Sequence, residues 1–129
     1  MPSLEQHPVH LGLGATVQPQ PVFTGELAWY ESYMARHLAD GAEGRLVALH
    51  SFDESWTSWE MHPSGEELVL CTEGELELVQ ELAAGEHRVY LRKGDYAVNP
   101  AGVWHTANCR GGCTALFITA GKDTQHRPR

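Results

Sequence analysis

The sequence predicts an all-β domain, a small antiparallel barrel or sandwich preceded by one short helix. Three observations predict it. From residue 44 onward, eight segments rich in Val, Leu, Trp and Tyr follow one another (45–52, 56–62, 67–72, 75–82, 87–91, 96–99, 103–109 and 114–119), each bounded by Gly, Pro, Asp or Ser, as in sandwiches and barrels of short strands. Helical spacing of apolar residues occurs once, between 24 and 40. The 129 residues show no composition break, repeat or low-complexity tract, so one domain with a single core spans 1–129.

The elements follow in order. Residues 1–22 carry four prolines, two glycines and no helical period, and read as an extended N-terminal arm lying across the domain or a neighbouring subunit. Thr24 stands where an N-cap belongs, Leu27, Tyr30, Met34 and Leu38 recur at helical spacing, and Gly41 suits a C′ position, which predicts a helix over 24–40. Its aromatic residues Trp29, Tyr30 and Tyr33 are expected in the core. The barrel occupies 44–120. Arg110-Gly111-Gly112 reads as a hairpin turn between two strands. Residues 121–129 are polar and read as a solvated tail, although His126 is able to fold over the barrel mouth.

A formal charge of −8, from 17 acidic against 9 basic residues, argues against nucleic acid or an anionic membrane as partner, because both demand a cationic face. No apolar run approaches a membrane span and the first residues lack the pattern of a signal peptide, so a cytoplasmic location is expected. The three cysteines, Cys71, Cys109 and Cys113, are odd in number and lie in strand-like segments, which predicts reduced structural thiols. Short strands leave unpaired edges and the arm has no core of its own, so strand or arm exchange in a homodimer is expected.

Two segments carry chemistry. On a strand, side chains two apart share a face, so Glu60 and His62 project together while Trp59 and Met61 face away. Pro63-Ser64-Gly65 supplies a turn, after which the next strand brings a carboxylate beside them, Glu66 or Glu67. In the second segment, Gly94-Asp95 turns, 96–99 is a strand, and Pro100-Ala101-Gly102 turns again to deliver His105 on a face with Val103 and Ala107. Two histidines and two carboxylates then face one pocket, an arrangement suited to one divalent ion. Trp56, on the strand parity of Glu60, is a candidate pocket wall, as is Tyr96. Tyr96, His50 and Glu66 are the candidate acid or base groups, each read first as structural.

These segments resemble the two motifs of the cupin superfamily. His62-x₄-Glu67-x₆-Gly74 matches the first from its second histidine onward, and Gly94-x₅-Pro100-x-Gly102-x₂-His105 matches the second, with 19 residues between Gly74 and Gly94. The resemblance implies a cupin-type antiparallel β-barrel (a double-stranded β-helix, or jelly roll), selects Glu67 over Glu66, and implies a metal held by His62, Glu67 and His105. It departs in two places. Glu60 stands where the family has its first histidine, and the motif asparagine falls at Cys109, one residue after Asn108. With Glu60 as fourth ligand the set carries two negative charges and neutralises a divalent ion. With Glu60 merely hydrogen-bonded, a two-His, one-carboxylate triad remains. Mn²⁺, Fe²⁺, Ni²⁺ and Zn²⁺ all accept imidazole and carboxylate together. The resemblance implies a small-molecule ligand or substrate and an enzyme of dioxygenase, isomerase or lyase type, or else a non-catalytic binding or sensing protein, or a partner-binding protein with a degenerate site.

Overall fold

The computed structural model describes residues 1–129 as an antiparallel β-barrel with a short helical segment at one side. Its elements are β1 (Val9–Gly12), β2 (Thr16–Pro19), α1 (Leu27–Arg36), a 3₁₀ segment (Leu38–Glu43), β3 (Arg45–Phe52), β4 (Ser58–Met61), β5 (Glu67–Leu82), β6 (Gly85–Arg92), β7 (Tyr96–Asn99), β8 (His105–Thr119) and β9 (Gln125–Pro128). No helix is long and apolar enough to cross a membrane.

Two long strands organise the barrel. β5 and β8 pair along their whole length, with register shifts near Cys71 and Gly74. One half of each joins a sheet ordered β2-β1-β3-β8-β5-β7, and the other half joins β9-β4-β8-β5-β6. Both strands bend where they pass between the sheets, at Gly74 on β5 and at Gly111 and Gly112 on β8, all three with positive φ, a conformation that glycine adopts without the Cβ penalty. The predicted turn at Arg110-Gly111-Gly112 is therefore a bend within one strand, and 67–72 with 75–82 is likewise one strand. Between the sheets lie Val69, Leu76, Leu91, Ala107 and Phe117, with all three cysteines, free and buried.

Three other expectations are corrected. The arm folds as the hairpin β1–β2, and β1 pairs with β3, so the arm is part of the sheet rather than an extended strap. The helix is shorter than 24–40, and the Thr24 hydroxyl accepts from the Glu26 N–H in the turn before it, at 3.3 Å. Its buried face is Trp29 and Tyr33, while Leu27 and Leu38 are exposed. The larger rings take the inward face because they stack on each other and pack on Leu46, and the Tyr33 hydroxyl lies 2.6 Å from Nδ1 of buried His10, whose Nε2 lies 2.6 Å from Asp40. Gly41 sits inside the 3₁₀ segment at φ 58° and reverses the chain there. Finally, the tail is no solvated coil: β9 pairs with β4 from Ser58 to Met61.

Candidate metal centre

Strand pairing puts the four predicted side chains together. Glu60 on β4 is the direct cross-strand partner of His105 on β8, His62 follows Glu60 on the same face, and Glu67 opens β5 opposite Thr119 and Asn99. One ligand atom from each of Glu60, His62, Glu67 and His105 lies within 4.8 Å of the others. His62, Glu67 and His105 are buried, and Glu60 is partly open to solvent.

The polar neighbours fix the orientation of these groups. Glu67 accepts from Asn99 Nδ2 at 2.9 Å on one oxygen and from Thr119 Oγ1 at 2.6 Å on the other, and Gln80 in turn donates to Asn99 at 2.9 Å. His62 Nδ1 lies 2.8 Å from Thr124 Oγ1, whose single proton goes to the Gly121 carbonyl at 2.9 Å, so the ring donates through Nδ1. His105 Nδ1 faces the Val103 carbonyl at 3.4 Å, which only accepts. Both rings therefore turn an Nε2 lone pair into the site.

Those two Nε2 atoms are buried without a hydrogen-bond partner. His62 Nε2 stands 2.8 Å from Glu60 Oε1 and 3.1 Å from Glu67 Oε2, and His105 Nε2 stands 3.2 Å from Glu67 Oε1. The separations are those of hydrogen bonds, but the directions are not. Lone pairs facing carboxylate oxygens repel unless a positive centre stands between them, and a proton or a cation fills that role. Imidazole and carboxylate donors are a set that divalent first-row ions accept, and carboxyl- or hydroxyl-supported ligands are the usual surroundings of such ions. The residues fit a metal.

Without an ion, protons take its place. Burial opposes charge on the His62 ring, but the carboxylates of Glu60 and Glu67 outweigh it and lift the pKa to about 9. Burial alone would raise both carboxyls, yet the His126 and His62 rings bring Glu60 down to about 2, and the His105 and His62 rings hold Glu67 well below the usual carboxylate range. A metal ion must displace the proton of His62 below pH 9. Its apparent affinity is therefore expected to rise about tenfold per pH unit from pH 7 to about 9 and level off above, as chelator-competition titrations will measure. The stability of the metal-free protein is expected to follow the opposite trend, as thermal melts across about pH 6–10 will measure. Because the folded pKa of His62 exceeds the unfolded 6.5, its stabilisation is complete below that value and is lost as pH rises through 9.

Around these groups lies a wall of rings. Trp56 is 6.3 Å from the His105 ring and 6.0 Å from Phe117, His50 is 5.7 Å from Phe117, and Phe23 bridges His50 and Tyr30 at 4.8 and 5.7 Å. Trp56 precedes β4, whose first residue is Ser58, so its place beside His105 comes from the loop before the strand and not from strand parity. His50 faces the same interior, and burial lowers its pKa against the pull of Glu60, Glu5 and Glu67. Tyr96 and Glu66 do not belong to the pocket: Tyr96 is 66 % exposed on the outer face of β7, and Glu66 is exposed on that same outer side. Asn108 is also elsewhere, donating to Glu77 at 2.6 Å.

Several residues near the site are ones that the sequence reads first as tail or core, or does not single out. His126 on β9 places Nε2 3.2 Å from Glu60 Oε2, and that carboxylate raises its pKa. Thr124 orients His62. Tyr30, expected in the core, is 38 % exposed instead, and its partial burial with the charges of Glu60 and Glu67 raises its pKa to about 12. Asn99 had a signal available, because it ends β7 just before the turn at Pro100 and stands opposite Glu67.

A model of the cupin domain family matches residues 51–120. Among solved structures, the chain is similar to a cupin-2 domain containing protein from Shewanella frigidimarina (21% identity, TM-score 0.50, covering 66% of this chain and 71% of that one). It is similar also to a cupin superfamily protein from Desulfitobacterium hafniense (25% identity, TM-score 0.50, 58% and 65%). A third is hydroquinone 1,2-dioxygenase from Sphingomonas sp. with 4-hydroxybenzoate bound (18% identity, TM-score 0.50, 58% and 59%). The chain spans less than two thirds of the last two, and at such identity the likeness is one of fold. No curated protein matches the chain.

Proposed function

The chain belongs to the cupin family, and on that premise we propose that it is a metal-dependent enzyme acting on a small molecule, of dioxygenase, isomerase or lyase type. The observation that carries the proposal is the pair of buried Nε2 atoms, His62 and His105, left without partners among the oxygens of Glu60 and Glu67. In this reading His62, Glu67 and His105 hold one divalent ion, Mn²⁺, Fe²⁺, Ni²⁺ or Zn²⁺, and Glu60 is the fourth ligand through Oε1 while His126 occupies Oε2. When bound, such an ion supplies Lewis-acid or redox chemistry to a chelating substrate at its open positions.

The chain's own groups define what enters. Trp56 offers flat apolar surface beside His105, backed by Phe117. Tyr30 keeps its hydroxyl proton near neutrality and can donate it to a substrate oxygen, whereas His50 stays neutral and can accept one. The reading includes a two-fold dimer carrying two such sites.

Glu60→Ala is expected to weaken divalent-ion binding about 10- to 100-fold, read by calorimetric titration; unchanged affinity assigns Glu60 to a different task. The enzymatic reading is tested by incubating metal-loaded protein with cell extract and comparing metabolites by mass spectrometry against His105→Ala. A metabolite consumed only by the wild type supports turnover. A metabolite that co-purifies unaltered overturns it in favour of a binding or sensing role.

A further inference from the structure

We infer that Cys109 and Cys113 are a reversible oxidation site, at which a peroxide closes a disulfide within β8 that ties the two sheets of the barrel together. The inference is independent of the metal.

The backbone brings the pair together. On an uninterrupted strand, residues four apart stand about 13 Å from each other, well beyond the roughly 7 Å that a disulfide tolerates between Cα atoms. Gly111 and Gly112 remove that separation. With φ of 74° and 92° they bend β8 sharply where it passes between the sheets, and the Sγ atoms of Cys109 and Cys113 come to 2.8 Å. The two residues serve different sheets: Cys113 stands opposite Phe52 on β3, and Cys109 opposite Leu76, in the half of β5 that pairs with β6. Both side chains belong to the core between the sheets. Closing the bond needs an approach of less than about 1 Å.

The third thiol is engaged elsewhere. Cys71 turns its Sγ to the carbonyls of Glu73 and Gly74, at 3.5 and 3.4 Å, and none of its surface is open. Cys109 and Cys113 keep 7 % and 5 % open, so an oxidant little larger than water reaches this pair before Cys71. Cys109 lies under the loop between β3 and β4, where its N–H donates to Ser55 Oγ at 3.0 Å and its Sγ stands 3.4 Å from the Phe52 carbonyl. Burial and the neighbouring thiol push Cys113 up to about 12. The pair therefore rests as thiols, and because the thiolate is the nucleophile, Cys109 meets the oxidant and Cys113 closes the bond.

Peroxide is the two-electron oxidant. The Cys109 sulfur attacks one peroxide oxygen, the O–O bond breaks, and the departing hydroxide takes the Cys109 proton as water, leaving a sulfenic acid. The Cys113 sulfur then attacks the Cys109 sulfur. The S–O bond breaks and the hydroxide leaves as a second water with the Cys113 proton. Each sulfur has lost one electron, and the peroxide is reduced to water.

The test uses the wild-type chain, reduced, desalted and treated with dilute hydrogen peroxide in the absence of denaturant. Thiols titrated after unfolding are expected to fall from the three of the reduced chain to one, with a loss of about 2 Da that dithiothreitol reverses. Trypsin cleaves after Arg110, so Cys109 and Cys113 fall on separate peptides that stay joined until reduced. Cys71→Ser is expected to give the same joined peptides, and Cys109→Ser none. Three intact thiols, a bond that includes Cys71, or a cross-link between two chains overturns the inference. So does a gain of about 32 Da without a bond, the mark of a sulfinic acid on a thiol with no partner in reach.

Discussion

Replacing Glu67 with alanine is expected to lower divalent-ion affinity by more than about 100-fold, beyond the 10- to 100-fold of outer contacts. Glu67 is the one residue whose two oxygens reach both imidazoles, at 3.1 and 3.2 Å. The same change strips the acceptors from Asn99 and Thr119 and leaves the charged His62 ring with Glu60 as its nearest counter-charge. At pH 7 the metal-free protein is therefore expected to lose about 3 kcal/mol, the range for a buried ionic network missing one member. Glu67→Gln separates the two effects, because it keeps the shape and one acceptor while removing the charge. Retention of wild-type affinity within tenfold by Glu67→Ala, measured by chelator competition, rules out its role as a ligand.

Gly74→Ala is expected to be the most damaging single methyl in the chain. Gly74 has φ +72°, and a Cβ there meets the Gly112 carbonyl oxygen at 2.4 Å and the Cys113 Cα at 3.1 Å. The obstacle is backbone of β8 at its own bend, so relief means separating the two strands that organise the barrel. Left-handed strain of about 1–2 kcal/mol and the clash together are expected to cost about 3 kcal/mol, a fall in Tm of roughly 10 °C for a domain of this size. Gly94→Ala is the control: φ is +92° but the space is open, so only the strain is expected. Equal melting of the two variants contradicts the close crossing at Gly74.

The strands were legible because their boundaries are chemical. Pro63 and Gly65 close one segment, Gly94 and Asp95 open another, and 45–52 and 96–99 have the predicted limits. Gly74 and Gly111-Gly112 carry the same turn chemistry but act as bends inside strands, because paired neighbours continue on both sides. Parity misled at Tyr96. Hydrophobicity favours Tyr96 and Val98 as the inward pair, yet the inward residues are Ala97 and Asn99, since Asn99 has Glu67 to hold. Tyr96 and Val98 face out on the sheet surface.

The site divides in the same way. His62, Glu67 and His105 were readable because their spacing in two short segments is dictated by the turns between strands. Thr124 was not, and His126 was legible only as a tail residue able to fold over the barrel mouth, because their place depends on β9 pairing with β4, a contact between residues more than 60 apart in a polar tail without periodicity. Trp29 and Tyr33 show a related limit: helical spacing identified the helix, but tertiary packing on His10 and Leu46 chose which stripe to bury.

The central claim is that a divalent cation belongs between His62, His105 and Glu67. Elemental analysis of untagged protein, exposed in turn to Mn²⁺, Fe²⁺, Ni²⁺ and Zn²⁺ and then desalted, tests it most directly. Retention of about one ion per chain by the wild type, and of less than about a tenth of that by Glu67→Ala, is the predicted result. Substoichiometric metal that none of the four ions restores, or equal retention by the variant, contradicts it.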